Sequence, residues 1–391
     1  MVDVMDRRDE VAGFVRNRWG VLLAEVGRTV VDRDEARLPP PSDLMALAGS
    51  TGLLSLSLPR DVGGENADAL TWGMVLEQIG YLCADSALPL IINHQIDIAR
   101  LVCASGRADL IETYAVPLAQ GRSGAGIAYT EDVDAFSFRT LLRRRGDDYV
   151  LSGHKTYVTG ALISEVFLTY ALDEAGDMQA CMVQRDDPGV TVTAAEPVAM
   201  RTAGAASITF EEVPLPADRI LVATDGLTHA QRFLSYQRLW AACAPLGRAQ
   251  AVLEDCATRL AAIDRYGEPL AGLKNVEASL GRMYVAVETA RAVLYHALGR
   301  VAAGRAEQVF DPVVAAAKYF AVEQVRFVLD RAQVLLGGHG FYGTPDLGRY
   351  MRDFSGLSLL AGTQDILEVN LGAGVAARAG KPPADKPHSA L

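Results

Sequence analysis

The chain has 391 residues, half of them apolar, and its 37 Lys and Arg against 48 Asp and Glu give a formal net charge of −11. This length allows two or three domains with buried cores, and the acidic balance disfavours nucleic acid and anionic membranes as partners. The five cysteines are scattered and form no CxxC pair, which argues against a disulfide framework and indicates a reducing compartment. Because the charged N-terminus lacks the apolar segment of a signal peptide, we expect a cytoplasmic protein.

Residues 1–120 are predicted to form a helical domain. Apolar residues recur at helical spacing over residues 11–23, 44–48 and 70–79. Prolines at 39–41 and the turn-forming residues 59–64 separate these runs.

Residues 121–224 are predicted to form a small antiparallel β domain. The run Arg145-Gly146-Asp147-Asp148 lies between two apolar segments and is typical of a hairpin turn. Short apolar runs separated by glycine and proline predict further strands, at residues 124–130, 166–170, 180–184, 190–194 and 207–210.

Helical periodicity returns over residues 225–378, with apolar faces at 276–287 and 322–329, and predicts a bundle. The proline-rich residues 379–391 are expected to be a disordered tail. The predicted fold class is therefore α+β, with a helical N-terminal domain, a middle β domain and a C-terminal helical bundle.

Several local runs, in this order, resemble those of the acyl-CoA dehydrogenase family. Residues 58–64 are similar to its Pro-x-x-x-Gly-Gly turn, and residues 154–159 to its Gly-x-Lys-x-Trp-Ile-Thr segment. The other runs that carry the resemblance are Thr130-Glu131, residues 201–216, 337–341 and 349–353, and Gly362-Thr363. The resemblance spans about 300 residues and implies the family's acyl-CoA dehydrogenase-like fold, with a four-helix C-terminal bundle.

The resemblance also implies a flavoprotein, with FAD between the middle and last domains and a second subunit completing the site of a homodimer or homotetramer. The residues that match cofactor contacts are Thr130, Tyr157, Thr159, Gly337, Gly338 and Thr363. Arg238 matches an arginine of the family, and the resemblance implies that it binds the substrate. Hydroxyl donors and closely approaching glycine backbone are the groups that a flavin and its phosphates require.

The family's catalytic glutamate is absent. In the family that the chain resembles, this glutamate removes the α proton of an acyl thioester and stands directly before the Gly-Thr pair. That position is Ala361 here, and a methyl group accepts no proton. The alternative position, just before Arg238, holds Gln237, a neutral amide.

Other departures concern the cofactor. Ile263, Val334 and Asp365 stand where the family has an arginine and two glutamines, although Arg265 and Gln333 lie close by in sequence. Val133-Asp134-Ala135 replaces a Gly-Ser-Asp loop that usually meets the thioester.

The remaining chemistry-bearing residues have structural interpretations. We expect Glu131 and Asp132 to be ion-paired or solvated, and His94 to be a core residue rather than one lining a pocket. His339, inside a GxGxxG-like run at 338–343 that follows a helix, is interpreted as a loop residue. Arg349, Arg352 and Asp353 are expected to form ion pairs on a helix, and dispersed histidines argue against a metal site.

The leading hypothesis is an FAD-dependent oxidoreductase acting on a specialised acyl thioester of coenzyme A or an acyl carrier protein, with electron transfer flavoprotein as a possible oxidant. The absent glutamate leaves the catalytic residue unassigned. It also leaves open a non-redox enzyme or catalytically silent partner on the same scaffold, and a flavin-dependent monooxygenase.

Overall fold

The computed structural model describes residues 4–132, 137–223, 225–265, 267–306, 309–342 and 345–379. Helices form the first part of the chain and confirm the helical runs expected there. Their bounds are α1 (Val4–Arg28), α2 (Val30–Ala36), α3 (Ser42–Ser50), α4 (Ala69–Leu82), α5 (Leu88–Ala104), α6 (Ala108–Leu110) and α7 (Val116–Ala119). The replaced 133–135 loop and almost all of the expected tail lie outside the described residues.

A mixed sheet follows. Its strands are β1 (Ala125–Ala128), β2 (Leu141–Arg145), β3 (Asp148–Val158), β4 (Val166–Leu172), β5 (Met178–Gln184), β6 (Val190–Ala194), β7 (Ala206–Leu215) and β8 (Ile220–Val222). The order is β6-β7-β3-β2-β4-β5-β8, and β1 pairs with β4.

The predicted hairpin is confirmed, because β2 and β3 pair across a two-residue turn in which Gly146 has φ +66°. The expectation of an antiparallel domain needs one correction. β4 pairs parallel with β1 over four residues and with β2 at Leu141 and Leu172. Parallel pairing needs a long connection, and 37 residues separate the end of β1 from the start of β4 in sequence.

Helices return after the sheet. They are α8 (Gly226–Ala261), α9 (Lys274–Ala302), α10 (Pro312–Leu336), α11 (Gly338–Tyr342), α12 (Pro345–Leu357) and α13 (Gln364–Arg378), with a two-stranded ribbon of β9 (Asp264–Arg265) and β10 (Glu268–Pro269) before α9. Asp311 starts α10 as its N-cap, since its carboxylate accepts hydrogen bonds from the N–H groups of Val313 and Val314 at 2.8 and 3.1 Å.

The chain forms two compact units. The helical unit comprises residues 1–28, 69–86 and 234–391, and the sheet unit comprises residues 29–68 and 87–233. In the helical unit a Cβ on Gly80 would lie 1.9 Å from the carbonyl oxygen of Ala244, so glycine permits α4 and α8 to approach closely. In the sheet unit a cluster of buried side chains that includes Leu151, Phe167 and Phe210 forms the core. The domain bounds expected from sequence stay a prediction.

Candidate active site

On the sheet unit, the segment after β1 lies beside the end of β3. The Thr156 N–H donates to the Thr130 carbonyl at 2.9 Å, and the Lys155 ammonium donates to the Tyr129 carbonyl at 2.9 Å. The structure therefore brings Thr130 next to the strand that carries Tyr157 and leads into Thr159, as one candidate surface. We call residues 129–131 and 155–159 the sheet-side surface.

A β-bulge shapes this surface. The β3–β7 register shifts between Lys155 and Val158, and Tyr157 within the bulge has φ +56°. A left-handed conformation is unfavourable for a bulky residue, and it persists only where the surroundings impose it. The Tyr157 side chain is 72 % exposed, so the bulge directs an aromatic ring away from the protein interior.

Beneath the bulge lies a buried ion pair between Glu131 and Lys155, 2.8 Å apart. The Glu131 carboxylate also accepts hydrogen bonds from the backbone N–H groups of Arg139 at 2.6 Å and Thr140 at 3.1 Å. This confirms the expectation that Glu131 is ion-paired.

The electrostatics of the pair reflect its burial. Burial lowers the pKa of Lys155 to about 8, although Glu131 opposes the change. Burial also acts to raise the pKa of Glu131, but the hydrogen bond and charge of Lys155, with the Arg139 N–H, outweigh it and hold that pKa below its usual value. Both groups are therefore charged at neutral pH.

Three threonine hydroxyls lie on or near this surface. Thr130 is exposed, and Thr159 is buried with 9 % of its surface accessible. Thr156 is also buried, and its Oγ1 has no hydrogen-bond partner among the residues that the structure describes. A buried hydroxyl without a partner is costly. This orphaned donor and the exposed aromatic fit a surface that receives a polar ring system. Sequence reasoning missed Thr156, because its position in the motif is variable.

On the helical unit, the candidate residues lie in the loop between α12 and α13, here called the 358–363 loop. Ala361 and Gly362 both have positive φ, +55° and +105°. Thr363 then caps α13, since its hydroxyl accepts from the Ile366 N–H at 3.4 Å. The backbone thus turns sharply at the position where the resemblance places a glutamate.

Arg238 holds this loop from α8. Its Nε donates to the Ala361 carbonyl at 3.1 Å, and its guanidinium lies 5.3 Å from the ring centre of Phe310. Arg238 is 2 % exposed and the preceding Gln237 is also buried. The guanidinium therefore reaches the backbone of the residue that the resemblance matches to the family's base.

Lys318 holds the same loop from α10, and nothing in the sequence pattern predicted this. Its ammonium donates to the carbonyls of Ser358 at 2.9 Å and Gly362 at 2.8 Å, and to the Gln364 Oε1 at 3.3 Å. The side chain is 1 % exposed. Burial, reinforced by the positive charges of Arg238 and Arg326, lowers the pKa of Lys318 to about 8.

Gly337 and Gly338 lie at the far end of α10. Gly337 ends that helix with φ +53°, and Lys318 lies near the start, roughly 28 Å away along the axis. Within one chain the structure therefore does not bring this glycine pair to the 358–363 loop. Val334, which the resemblance matches to a glutamine, is 63 % exposed on the last turn of α10.

The structural interpretations of several polar residues are confirmed. Arg349 pairs with Asp346 at 2.7 Å and donates to the Ala84 carbonyl, while Arg352 pairs with Asp353 at 3.2 Å. The interpretation of His339 as a loop residue is wrong, because His339 lies exposed on the short helix α11, where the Phe341 N–H donates to the Gly337 carbonyl at 3.2 Å. Across the described ranges, no group of His, Cys, Asp and Glu has an arrangement suited to a metal ion, and no helix has the length and hydropathy needed to cross a bilayer.

Comparison with known proteins supports one family. The models of the acyl-CoA dehydrogenase N-terminal, middle and C-terminal domains match residues 6–122, 126–213 and 224–376. Cyclohex-1-ene-1-carbonyl-CoA dehydrogenase of Geobacter metallireducens is 28 % identical over 365 residues, which is 90 % of this chain and 94 % of that protein.

Solved structures share the fold. Glutaryl-CoA dehydrogenase of Mycobacterium smegmatis in complex with FADH2 has a TM-score of 0.86 at 21 % identity, covering 99 % of this chain and 96 % of that one. The prolyl acyl carrier protein oxidase AnaB also has a TM-score of 0.86, at 22 % identity, covering 96 % and 99 %. The predicted order of helical, β and helical domains is thereby confirmed, and the chain belongs to the acyl-CoA dehydrogenase family of oxidoreductases.

Proposed function

We propose that the protein is an FAD-dependent oxidoreductase that acts on a specialised acyl thioester and lacks the usual catalytic base. The observation that carries the proposal is the 358–363 loop. Arg238 and Lys318 bind the carbonyls of Ala361 and Gly362, while the side chain at the base position is a methyl group. We infer that the backbone framework of a base position is kept although no base stands there.

The residues present suit FAD. The hydroxyls of Thr130, Thr159 and Thr363 and the ring of Tyr157 are the proposed contacts to the flavin, with the exposed Gly337-Gly338 backbone for the adenosine end. Since that glycine pair lies far from the loop within one chain, the proposal includes a homodimer or homotetramer in which a second copy completes the site. When bound, FAD supplies acceptance of a hydride equivalent from the substrate.

The absent carboxylate restricts the substrate. In an ordinary dehydrogenation a carboxylate takes the α proton as the β hydride leaves. Neither the Ala361 methyl nor the Gln237 amide accepts a proton at neutral pH. We therefore propose a thioester whose departing proton is acidic enough to pass to water.

The carrier of the acyl group is proposed to be coenzyme A or an acyl carrier protein. The first matches the cyclohex-1-ene-1-carbonyl-CoA dehydrogenase relative, and the second matches AnaB, a prolyl acyl carrier protein oxidase. Electron transfer flavoprotein is proposed as the oxidant, and the cytoplasm as the location.

The first experiment is the visible spectrum and cofactor mass of the purified protein, before and after incubation with FAD. Oxidised flavin absorbance that remains after gel filtration supports the proposal. Protein that is colourless as isolated and gains no absorbance with FAD contradicts it. That result favours the second candidate, a catalytically silent partner or non-redox protein, which the shared loss of carboxylates at residues 361 and 237 supports.

The second experiment restores the base through Ala361→Glu, with Ala361→Gln as the neutral control of equal size. The FAD-loaded variants are mixed anaerobically with short acyl-CoA thioesters. We expect bleaching of the flavin with Ala361→Glu alone, because the loop backbone is held independently of the residue 361 side chain. If neither variant bleaches the flavin, the pocket no longer accepts such thioesters.

A further inference from the structure

We infer that Glu131 and Lys155 are positioning residues for the sheet-side surface. Their ion pair fixes the Thr130 hydroxyl and the Tyr157 ring in the arrangement that receives the flavin. The inference rests on the proposed function and adds to it two residues that make no proposed contact with the cofactor.

The three residues 129–131 are each bound to the end of β3: the Tyr129 carbonyl and the Glu131 carboxylate by Lys155, and the Thr130 carbonyl by the Thr156 N–H. Thr130 thus lies between two groups held by one ammonium. Because the Cα–Cβ direction of Thr130 follows the backbone, Lys155 helps to set where this exposed side chain leaves the surface.

Tyr157 follows Lys155 by two residues. Its left-handed backbone is intrinsically unfavourable, and an exposed ring gains little burial to offset that cost. The conformation therefore depends on the residues on either side. Val158 is buried and pairs with Ala206 on β7, and Lys155 is fully buried and anchored to Glu131. On the N-terminal side of the bulge the ion pair is the side-chain anchor, beside the backbone pairing of Lys155 with Ile208 on β7.

Glu131 also accepts the Arg139 and Thr140 N–H groups, so it ties the start of β2 to the same point. The Lys155 ammonium lies 4.3 Å from the ring centre of Phe138. One buried pair therefore organises three chain segments at the surface.

Buried ion pairs are often replaceable by apolar residues without loss of stability, whereas removal of one partner leaves an uncompensated charge. Because of this property, a positioning role of the pair can be tested in a protein that still folds. The double variant Glu131→Met/Lys155→Met removes the anchor and leaves no orphaned charge. Glu131→Gln keeps the shape and removes the charge. Asp187→Asn is the matched control, since Asp187 pairs with Arg219 at 2.7 Å and accepts from the Gln184 N–H, bracing the end of β5 instead.

The measurements are FAD affinity of the full-length apoprotein by fluorescence titration, the visible spectrum of bound flavin, and hydrogen exchange at residues 156–159 without FAD. For the double variant we expect cooperative unfolding, FAD affinity weakened on the order of tenfold, an altered flavin spectrum and faster exchange at Thr156. Glu131→Gln should shift the same readouts by less, and Asp187→Asn should leave them unchanged.

The outcomes separate the two proposals. Failure of the unmodified protein to bind FAD overturns the proposed function, and this inference with it. If the unmodified protein binds FAD tightly and the double variant has the same FAD affinity and flavin spectrum, only the inference is overturned. If the double variant does not fold, Glu131→Gln becomes the test. An unchanged flavin spectrum and FAD affinity in Glu131→Gln would then overturn the inference.

Discussion

The two candidate surfaces each depend on a buried lysine, but the two lysines have different partners. Lys155 faces a carboxylate, Glu131, and one carbonyl, whereas Lys318 faces two carbonyls and a side-chain amide. Each serves a segment that contains a non-glycine residue with positive φ: Lys155 lies two residues before Tyr157, and Lys318 binds the carbonyl of Gly362, which follows Ala361. The sheet unit therefore combines a strained backbone with a complete ion pair.

The helical unit keeps the strained loop and its buried cation without a carboxylate at residue 361. The comparison indicates that backbone geometry at a site is maintained by buried donors below the surface. We expect that the side chain at residue 361 can then change without altering the loop.

The largest expected effect distinguishes the two lysines by stability. Lys155→Met should lower the free energy of unfolding by about 3–5 kcal/mol, because it leaves Glu131 charged and buried. Lys318→Met should cost about 1–3 kcal/mol, because it leaves only neutral acceptors without donors. Urea denaturation of both variants measures the difference, and an equal or larger loss at Lys318 would contradict the comparison.

The second prediction is that stability depends on pH through Lys318. The folded pKa of Lys318 is about 8 and an unfolded lysine titrates near 10.5, so between these values the unfolded chain holds a proton that the folded chain has released. The contribution of Lys318 to the free energy of unfolding therefore rises with pH in this window, and it is constant below pH 8. The stability difference between the unmodified protein and Lys318→Met should grow by up to about 1.4 kcal/mol per pH unit from pH 8 to 10.5. Lys274→Met, at an exposed lysine, is the control, and a flat difference at Lys318 would exclude its depressed pKa.

The third prediction tests the orphaned hydroxyl of the sheet side. Thr156→Val should stabilise the apoprotein by about 1 kcal/mol, because it removes a buried hydroxyl that has no partner among the described residues. The control Thr169→Val removes a hydroxyl that donates to the Phe167 carbonyl at 3.4 Å, so it should not stabilise. Thermal unfolding measures both. FAD affinity should fall in Thr156→Val alone, and a stabilised variant with unchanged affinity would remove Thr156 from the flavin surface.

The smallest effect concerns Ala361. Ala361→Gly should change stability by less than about 1 kcal/mol, since relief of the left-handed strain offsets the added freedom of the unfolded chain. Ala373→Gly, at an exposed helical position of α13, should cost about 1 kcal/mol. If the two substitutions cost the same in chemical denaturation, the backbone at residue 361 is not strained.

The fold and part of the site could be predicted from sequence because their signals are local. Helical and strand periodicity and the glycine at residue 146 predicted most elements, and the runs around Thr130, Tyr157 and Thr363 carried the family resemblance. The parallel pairing of β4 with β1 and β2 had no local signal, because strand order depends on contacts between distant segments. The roles of these cofactor-matching residues stay predictions.

The sequence by itself determined which side chains are available, above all that neither residue 361 nor residue 237 is a carboxylate. Only the tertiary structure decided what holds those positions. Lys155 reaches Glu131 across 24 residues of sequence, and Lys318 reaches Gly362 across 44. A buried ammonium satisfies whatever acceptors the packing places within 3 Å of it, and that neighbourhood is a property of the folded chain that no local pattern encodes.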